Sequence, residues 1–350
     1  MKVLMIGPAR NVHGGVSAVV NNLYTAGLDK KVKLTYIGTM VDGSKIRKLF
    51  QAVWAYFVFL MKVPFADILH VNMASDASYY RKKIFIDTAA ALKKNIVIHE
   101  HGGDFRDFYY ERSDEKQKTS IQKTLNKAKK FIVLSKEWYE FFAPIVSGDK
   151  LMIMENGIIV PECSKRKYQD HNLLFLGRLC EQKGIRELIG AVDKLQKKIP
   201  DVHLYLGGIW EHENLKKLIE GKEAYITYLG WIGGREKQEY FEKCSYFVLP
   251  SYFEGQPISL LEAMAREMCV AAAEVGGIPQ MVGDGVQGIL FPAKDEEALE
   301  QALFEVLTDK EKAKDYGKAA GKRVQEHYNV QRCVEELTEL YRNVGWRKPL

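Results

Sequence analysis

The chain has 350 residues, 47% of them hydrophobic, and a formal net charge of +6. This length and composition predict about two domains with packed cores and exclude a disordered chain. The five cysteines are far apart and form no Cys-x-x-Cys pair, which excludes a disulfide framework and predicts a reduced, cytoplasmic protein. Because Met1 leads into a short apolar run without a basic start, we expect no signal peptide.

The positive charge is concentrated in the first half of the chain. Residues 1–160 carry 24 Lys and Arg against 15 Asp and Glu, a net of +9, whereas residues 161–350 carry 27 against 30, a net of −3. The basic half contains no helix or aromatic strand motif of a nucleic-acid reader, so no nucleic-acid partner is predicted. An anionic membrane surface, or an acceptor that carries diphosphate, fits better, since each basic residue near such a surface contributes about 1 kcal/mol.

Apolar runs that read as strands alternate with helical runs, which predicts doubly wound parallel sheets. The candidate strands of the first half are Val3 to Ile6, Lys33 to Ile37, Ile68 to Val71, Asn95 to His99, Lys130 to Leu134 and Leu151 to Met154. Gly14 and Gly15 follow the first of these strands.

The segment from Lys45 to Lys62 combines a basic start with an apolar and aromatic run. Its uninterrupted apolar part, Ala52 to Met61, is too short to cross a bilayer, which needs about 20 residues. Two interpretations remain open: a helix that covers the sheet, or a helix that partly inserts into a membrane surface. Both hold if they concern different faces of the helix.

A pair of histidines stands at the end of the fourth strand. Alternation along the strand places His99 and His101 on the same face. A metal site would need further ligands nearby in sequence, which are missing, so no metal is predicted. A buried structural histidine remains an alternative for His101, and Asp104 either binds an acceptor hydroxyl or caps a helix.

Polar, Pro-containing sequence from Val160 to Asn172 interrupts the alternation and predicts a linker between domains. We place the first domain at 1–162, joined by a closing helix at 328–350, and the second at 163–327. The second set of candidate strands is Leu173 to Leu176, Val202 to Gly207, Ile226 to Leu229, Tyr246 to Leu249, Cys269 to Ala272 and Gly288 to Phe291.

The stretch from Glu254 to Glu262 places two carboxylates eight positions apart around a Gly-Gln-Pro loop that leads into a helical run from Ile258 to Arg266. A helix that begins after Pro257 has unpaired N–H groups that suit a diphosphate. Glu254 would then lie beside a sugar, and Glu262 can accept hydrogen bonds from ribose hydroxyls. A surface helix with an acidic first turn is the alternative.

This stretch resembles the E-x7-E signature of the retaining glycosyltransferases of family 4, which have the GT-B fold. The resemblance covers nearly the whole chain and includes these further motifs: Gly14-Gly15, His99 to Phe105, Val133 to Trp138, Asn156-Gly157, Gly177-Arg178 with Lys183-Gly184, Gly230-Trp231, and Gly276 to Pro279. It implies an α/β fold of two Rossmann-like domains that face each other across a cleft, with the last helix crossing back to the first domain.

The resemblance also implies roles for individual residues. Arg178 and Lys183 would absorb the charge of the leaving diphosphate without a metal or any other cofactor, and the catalytic set would be His101, Glu254, Arg178 and Lys183. The implied donor-binding residues are Gly14, Gly15, Arg178, Lys183, Gly230, Trp231, Glu254, Gly255, Gln256, Pro257, Ile258, Ser259 and Glu262. Asp104, His70 and Asn72 would bind the acceptor.

The activity implied is that of a retaining hexosyltransferase that moves a sugar, most often from a UDP-sugar, to a lipid-linked or growing oligosaccharide. The setting would be cell-surface polysaccharide biosynthesis, with the protein peripheral on the inner face of the plasma membrane. Two alternatives remain open, a sugar-nucleotide epimerase and a non-catalytic nucleotide-sugar-binding scaffold. The chain departs from the family pattern at Gln280, where a glutamate is usual.

Overall fold

The computed structural model, which describes residues 1–161, 166, 168 and 170–345, divides into two compact units. The first comprises Met1–Ile159 and Asn329–Leu350, and the second comprises Val160–Tyr328. The predicted boundary falls between residues 162 and 163, and both of these lie outside the described residues.

The first unit contains a parallel sheet of six strands. They are β1 (Lys2–Gly7), β2 (Lys33–Gly38), β3 (Ile68–Met73), β4 (Asn95–Glu100), β5 (Lys130–Val133) and β6 (Leu151–Ile153). Their order across the sheet is β2-β1-β3-β4-β5-β6. All six confirm the predicted strands, with ends that agree within one or two residues. Every residue of β3 is buried, because helices cover both faces of a doubly wound sheet.

The helices of this unit are α1 (Gly15–Thr25), α2 (Leu28–Lys31), α3 (Lys45–Lys62), α4 (Asp76–Ala91), α5 (Phe105–Tyr110), α6 (Glu115–Leu125) and α7 (Lys136–Phe142), and the unit is completed by α15 (Val330–Gly345). Helix α15 packs on α1, α2 and β3. Its Tyr341 hydroxyl lies 2.7 Å from Nδ1 of His70 in β3, which ties the end of the chain to the centre of the first sheet.

The second unit contains another parallel six-stranded sheet. Its strands are β7 (Asn172–Leu176), β8 (His203–Gly207), β9 (Ile226–Gly230), β10 (Tyr246–Leu249), β11 (Cys269–Ala273) and β12 (Gly288–Phe291), in the order β12-β11-β10-β7-β8-β9. These strands confirm the second predicted set. The helices are α8 (Ile185–Leu195), α9 (Glu213–Lys216), α10 (Gly234–Lys243), α11 (Ile258–Met264), α12 (Ile278–Met281), α13 (Glu296–Thr308) and α14 (Lys310–His327).

In each sheet, the next strands of the chain lie on one side of the first strand, and the later strands lie on its other side. The reversal separates β1 from β3 in the first sheet and β7 from β10 in the second. The loops after these strands diverge at the carboxyl edge of the sheet, and such reversal points are where open α/β sheets bind ligands. The topology therefore selects the loops after β1 and β3 and those after β7 and β10 as candidate sites.

Helix α3 covers the first sheet with a narrow face. Its only fully buried side chains are Ala55 and Phe59, and Phe59 packs edge-on against Phe85 of α4 with ring centroids 4.9 Å apart. The interpretation of a sheet-covering helix is thus confirmed for one face. The opposite face is exposed.

Of the cysteines, Cys180, Cys244, Cys269 and Cys333 are free and buried, and Cys163 lies outside the described residues.

Candidate functional site

The reversal point of the second sheet holds a salt bridge between Lys183 and Glu254. Lys183 ends a short 3-10 turn after β7, and Glu254 lies in the loop after β10, so two strands that are neighbours in the sheet bring together side chains 71 positions apart. Oε1 of Glu254 also accepts a 2.7 Å hydrogen bond from the Ser251 hydroxyl. The Glu254 side chain is only 10% exposed, so the ion pair is largely shielded from water.

Two glycines hold this ion pair in place through close backbone contacts. Gly184 has φ +66°, and a Cβ there would lie 2.1 Å from the carbonyl oxygen of Pro250. Gly276 has φ +54°, and its Cβ would lie 1.8 Å from the carbonyl oxygen of Glu254 itself. Since L side chains rarely adopt such φ values and no space is present for them, both positions require glycine. The loop conformation around Glu254 depends on these contacts.

The signature segment after Glu254 is mostly buried and leads directly into α11. The helix begins at Ile258 after Pro257, as predicted, but ends at Met264, two residues before the predicted end. No side chain caps its first N–H groups. Gly255 and Gln256 are buried, and Ser259 is half-buried in the first turn of the helix. The amide groups after Pro257 are therefore candidate hydrogen-bond donors to an anionic group.

Glu262 pairs with a lysine that the sequence did not indicate. Its Oε1 lies 2.6 Å from Nζ of Lys237 in α10, and both side chains are largely buried. A carboxylate has about four lone-pair positions, so Oε2 of Glu262 can still accept hydrogen bonds from hydroxyl groups. No motif identifies Lys237, because it is one of several charged residues in a polar helix.

Arg178 lies apart from the Lys183–Glu254 pair. Its Nη1 is 3.4 Å from Oε1 of Glu211, which follows β8, and its side chain is 63% exposed. A guanidinium so exposed is free to reorient toward a phosphate, and its pairing with Glu211 is weak at this distance. The structure thus joins Lys183 to Glu254, and it places Arg178 and Glu262 in two further ion pairs.

The other predicted donor residues lie in loops with open space. Gly230, at the end of β9, has φ +69°, and Trp231 beside it is partly exposed. Gly14 and Gly15 stand at the start of α1 in the first unit, and a Cβ at either would meet no atom within 4 Å. Their backbone is therefore accessible to a ligand.

In the first unit, a hydrogen-bond network crosses the reversal point between β1 and β3. Nδ2 of Asn72 in β3 donates to the carbonyl oxygen of Ile6 in β1 at 3.2 Å, and Oδ1 of Asn72 lies 2.9 Å from Nε2 of His101. A carbonyl can only accept, so the Ile6 contact fixes the amide orientation of Asn72. Oδ1 is then an acceptor, and His101 must carry its proton on Nε2 and leave Nδ1 unprotonated.

Burial keeps the histidines of this region neutral. It lowers the pKa of His70 to about 3, and burial with the neighbouring His70 lowers the pKa of His101 to about 3. Burial also holds the pKa of His99 well below its usual value, and its ring lies 4.0 Å from that of His101. His101 is thus an uncharged donor to Asn72, and Nδ1 of His101 is a buried acceptor with no partner among the described residues.

Two of the acceptor candidates are buried. The side chain of His70 is fully buried against α15, and Asn72 is buried with both amide atoms hydrogen-bonded. Neither side chain offers exposed surface to an acceptor in this structure, so acceptor binding stays a prediction for both. Asn72 orients the His101 ring, and His70 anchors α15.

Asp104 is the acceptor candidate that remains accessible. It precedes α5 without capping it, accepts a 2.5 Å hydrogen bond from the Ser75 hydroxyl, and pairs with Arg112 at 3.1 Å. Sequence reasoning missed Glu100, which is buried beside this loop and accepts a hydrogen bond from the Gly102 amide at 2.7 Å. Burial raises the pKa of Glu100 well above its usual value.

Within the part of the chain that the structure describes, no group of three or more His, Cys, Asp or Glu side chains is arranged to hold a metal ion.

Comparison with known proteins places the second unit in a family. Residues 162–323 match the model of glycosyl transferases group 1. The alpha-maltose-1-phosphate synthase of Mycolicibacterium smegmatis is 32% identical over 186 residues, which cover 49% of this chain and 47% of that protein. The chain thus aligns with about half the length of this curated relative.

Solved structures match over almost the whole chain. Sucrose-phosphate synthase from Thermosynechococcus elongatus has a TM-score of 0.80 at 19% identity and covers 98% of this chain and 99% of its own. Anabaena Alr3699/HepE in complex with UDP has a TM-score of 0.75 at 16% identity and covers 98% and 100%. At these identities the likeness shows the fold, and it confirms the predicted GT-B class. Residues 162–323, slightly less than half of the chain, therefore match the glycosyl transferases group 1 family, and the chain has the GT-B fold.

Proposed function

We propose that the chain is a retaining, metal-independent glycosyltransferase that moves a sugar from a UDP-sugar to a lipid-linked or growing oligosaccharide. Its place would be cell-surface polysaccharide biosynthesis, and it would act as a peripheral protein on the cytoplasmic face of the plasma membrane. The observation that carries the proposal is the shielded Lys183–Glu254 pair at the reversal point of a glycosyl transferases group 1 unit.

The chemistry requires charge stabilisation at the leaving group. When the bond from the sugar to the diphosphate breaks, the sugar gains oxocarbenium character and negative charge grows on the phosphate. Lys183 supplies a compact ammonium beside the loop, and Arg178 supplies a mobile guanidinium able to bind a phosphate in bidentate fashion. The uncapped amides of α11 add fixed donors. These groups would take the place of a metal ion.

Glu254 and Glu262 would bind the two ends of the donor, which are its sugar and its ribose. Glu254 would contact sugar hydroxyls while its Oε1 positions Lys183, and Oε2 of Glu262 would accept hydrogen bonds from the ribose. The UDP in the HepE complex supports a uridine donor for this chain. The acceptor would bind the first unit near Asp104, and neutral His101, oriented by Asn72, would support the donor sugar.

The test has two stages. Thermal unfolding is measured with UDP, GDP and ADP, since a ligand that binds only the folded state raises the melting temperature by mass action. UDP should stabilise the chain most. Release of UDP from a panel of UDP-sugars is then measured with and without a synthetic alkyl-diphosphate-linked sugar as acceptor.

Glu254→Gln keeps the shape of the side chain and removes its charge, and Glu239→Gln, in an exposed pair with Arg235, is the matched control. We expect acceptor-dependent UDP release by wild type and Glu239→Gln, and a loss of at least 100-fold in Glu254→Gln, the order of one lost electrostatic contact to the transition state. Epimerised nucleotide-sugar without acceptor would indicate an epimerase. UDP binding without turnover of any sugar would indicate a scaffold.

A further inference from the structure

Helix α3 exposes a continuous apolar stripe to solvent. Ile46, Phe50 and Val53 are 81%, 73% and 63% exposed. The stripe consists of large side chains at helical spacings of three and four, namely Ile46, Leu49, Phe50, Val53, Trp54, Phe57, Leu60 and Met61. At 3.6 residues per turn these eight positions span an arc of roughly 140°. Exposed apolar surface of this extent on a soluble protein marks an interaction site.

The stripe lies opposite the face that packs on the first unit. Ala55 and Phe59 are buried, and Tyr56 packs edge-on against Phe85 with ring centroids 5.3 Å apart. The fold therefore already has the contacts it needs from α3. The outward side chains are not required for the core of the first unit, and their apolar character needs another explanation.

The sheet topology excludes a membrane crossing by this helix. The segment Lys45–Phe65 is long and apolar enough to span a bilayer by length and composition alone, and it is the one such segment in the described part of the chain. The short uninterrupted apolar run from Ala52 to Met61 therefore does not by itself exclude a crossing. The helix connects β2 to β3, however, and both strands pair with β1 along most of their length. A crossing would put β2 and β3 on opposite sides of the bilayer and break the sheet. The helix can only lie along a surface.

The charge around the stripe identifies that surface. Lys45, Arg47 and Lys48 stand in the first turn of the helix and Lys62 at its end, and no acidic residue occurs between Asp42 and Asp67. A second copy of the chain is a poor partner, because two-fold pairing of this face would bring these cations together without a counter-charge. An anionic lipid surface supplies the opposite charge and an apolar layer at once.

We propose that α3 lies flat in the interface of an anionic lipid bilayer, with the Ile46–Met61 stripe among the acyl chains and the flanking cations at the phosphates. Trp54 is suited to the boundary between them. The helix begins after β2, at the carboxyl edge of the first sheet, which is the edge that carries His101 and Asp104. The basic end of α3 thus shares an edge with the acceptor candidate Asp104. The inference rests on the membrane contact of the proposed function and names the element that makes it.

Binding of the full chain to vesicles tests the proposal. Sedimentation is measured with vesicles of phosphatidylcholine alone and of phosphatidylcholine with phosphatidylglycerol. We expect tight binding only with the anionic lipid. Phe50→Ser with Phe57→Ser should weaken it at least 100-fold, since each phenylalanine loses its apolar burial. Arg47→Gln with Lys48→Gln should weaken it about 25-fold, at about fivefold for each charge.

Controls separate insertion from folding and from adsorption. Phe50→Leu with Phe57→Leu should bind like wild type, as should Val286→Ser, which removes an exposed apolar side chain from the second unit. Lipids with brominated acyl chains should quench fluorescence in wild type and not in Trp54→Phe. All variants should keep the wild-type melting temperature, because the altered side chains are exposed.

Three results would overturn the proposal. One is equal binding of wild type and the Phe50→Ser, Phe57→Ser variant. Another is anionic binding without quenching of Trp54, which would mean adsorption without insertion. The third is a stable dimer by light scattering that Phe50→Ser converts to a monomer, because the stripe would then be covered by a second copy. Stabilisation by UDP is measured without vesicles, so a failure of vesicle binding overturns the membrane contact and leaves the transfer from a UDP-sugar standing, and a failure of UDP binding leaves this inference standing.

Discussion

Removing the positive charge at Lys183 tests how the candidate donor site is held together. Lys183→Met keeps much of the side-chain volume and leaves the Glu254 carboxylate with the Ser251 hydroxyl as its remaining side-chain partner. Breaking a buried ion pair by removing one partner costs about 3–5 kcal/mol. Because the Lys183 side chain is 21% exposed, we expect a smaller cost, about 2–3 kcal/mol.

The assay is thermal unfolding followed by circular dichroism. At about 2–4 °C per kcal/mol for a unit of this size, Lys183→Met should lower the melting temperature by about 5–10 °C. Combining it with Glu254→Gln replaces the stranded carboxylate by a neutral amide and should recover most of that loss. The double-mutant cycle thereby isolates the interaction between the two side chains.

The same proteins separate the structural role of Lys183 from its role in donor binding. A charge-assisted hydrogen bond to phosphate contributes about 1.5–3 kcal/mol, so both variants should bind UDP roughly 10- to 100-fold more weakly than wild type. The reasoning about the ion pair is refuted if Lys183→Met melts at the wild-type temperature, or if the double variant melts as low as the single one. Unchanged UDP binding in Lys183→Met would refute a phosphate contact.

Three further predictions concern the supporting structure. In Gly276→Ala the new Cβ would meet the carbonyl oxygen of Glu254, so the free energy of unfolding in urea should fall by at least 2 kcal/mol. Gly221→Ala, at φ +75° in open space, is the control and should lose about 1 kcal/mol. Equal losses would show that the close contact at Gly276 does not matter. Burial lowers the pKa of His70 to about 3, so the neutral side chain contributes stability that is present above about pH 6.5 and is lost as the pH falls toward 3. For this residue alone, the free energy of unfolding of wild type should be about 2 kcal/mol lower at pH 5 than above pH 6.5. A free energy of unfolding that does not change with pH would contradict this prediction. Tyr341→Phe, which removes the hydrogen bond to Nδ1 of His70, should cost about 1 kcal/mol, and no loss would show that the contact does not stabilise α15.

The order of strands and helices was readable from the sequence because burial on both faces leaves a local signal. A central strand of a doubly wound sheet is buried on both faces and therefore favours a near-continuous apolar run, and the runs that form β10 and β11 meet that requirement without reference to the rest of the chain. The start of helix α11 was also predicted from a local signal, because proline is common at the beginning of helices and Pro257 directly precedes this one.

Side-chain partners could not be read in this way. Lys183 and Glu254 are 71 positions apart, and His70 and Tyr341 are 271 apart, so only the sheet order brings them into contact. Lys237 was missed because a lysine in a polar helix carries no local sign that a distant carboxylate will approach it. His70 was expected at an acceptor, and the packing of α15 buries it instead.

Helix α3 shows most clearly which properties follow from the sequence and which follow from the tertiary structure. The sequence by itself determined that residues 45–62 form an apolar helix with a basic start, because composition and periodicity are local properties. Only the tertiary structure decided that Ala55 and Phe59 face the core while Phe50 and Val53 face solvent, and that the helix cannot cross a bilayer. Those outcomes depend on which strands its two ends join, and strand pairing is set by contacts between residues far apart in the chain.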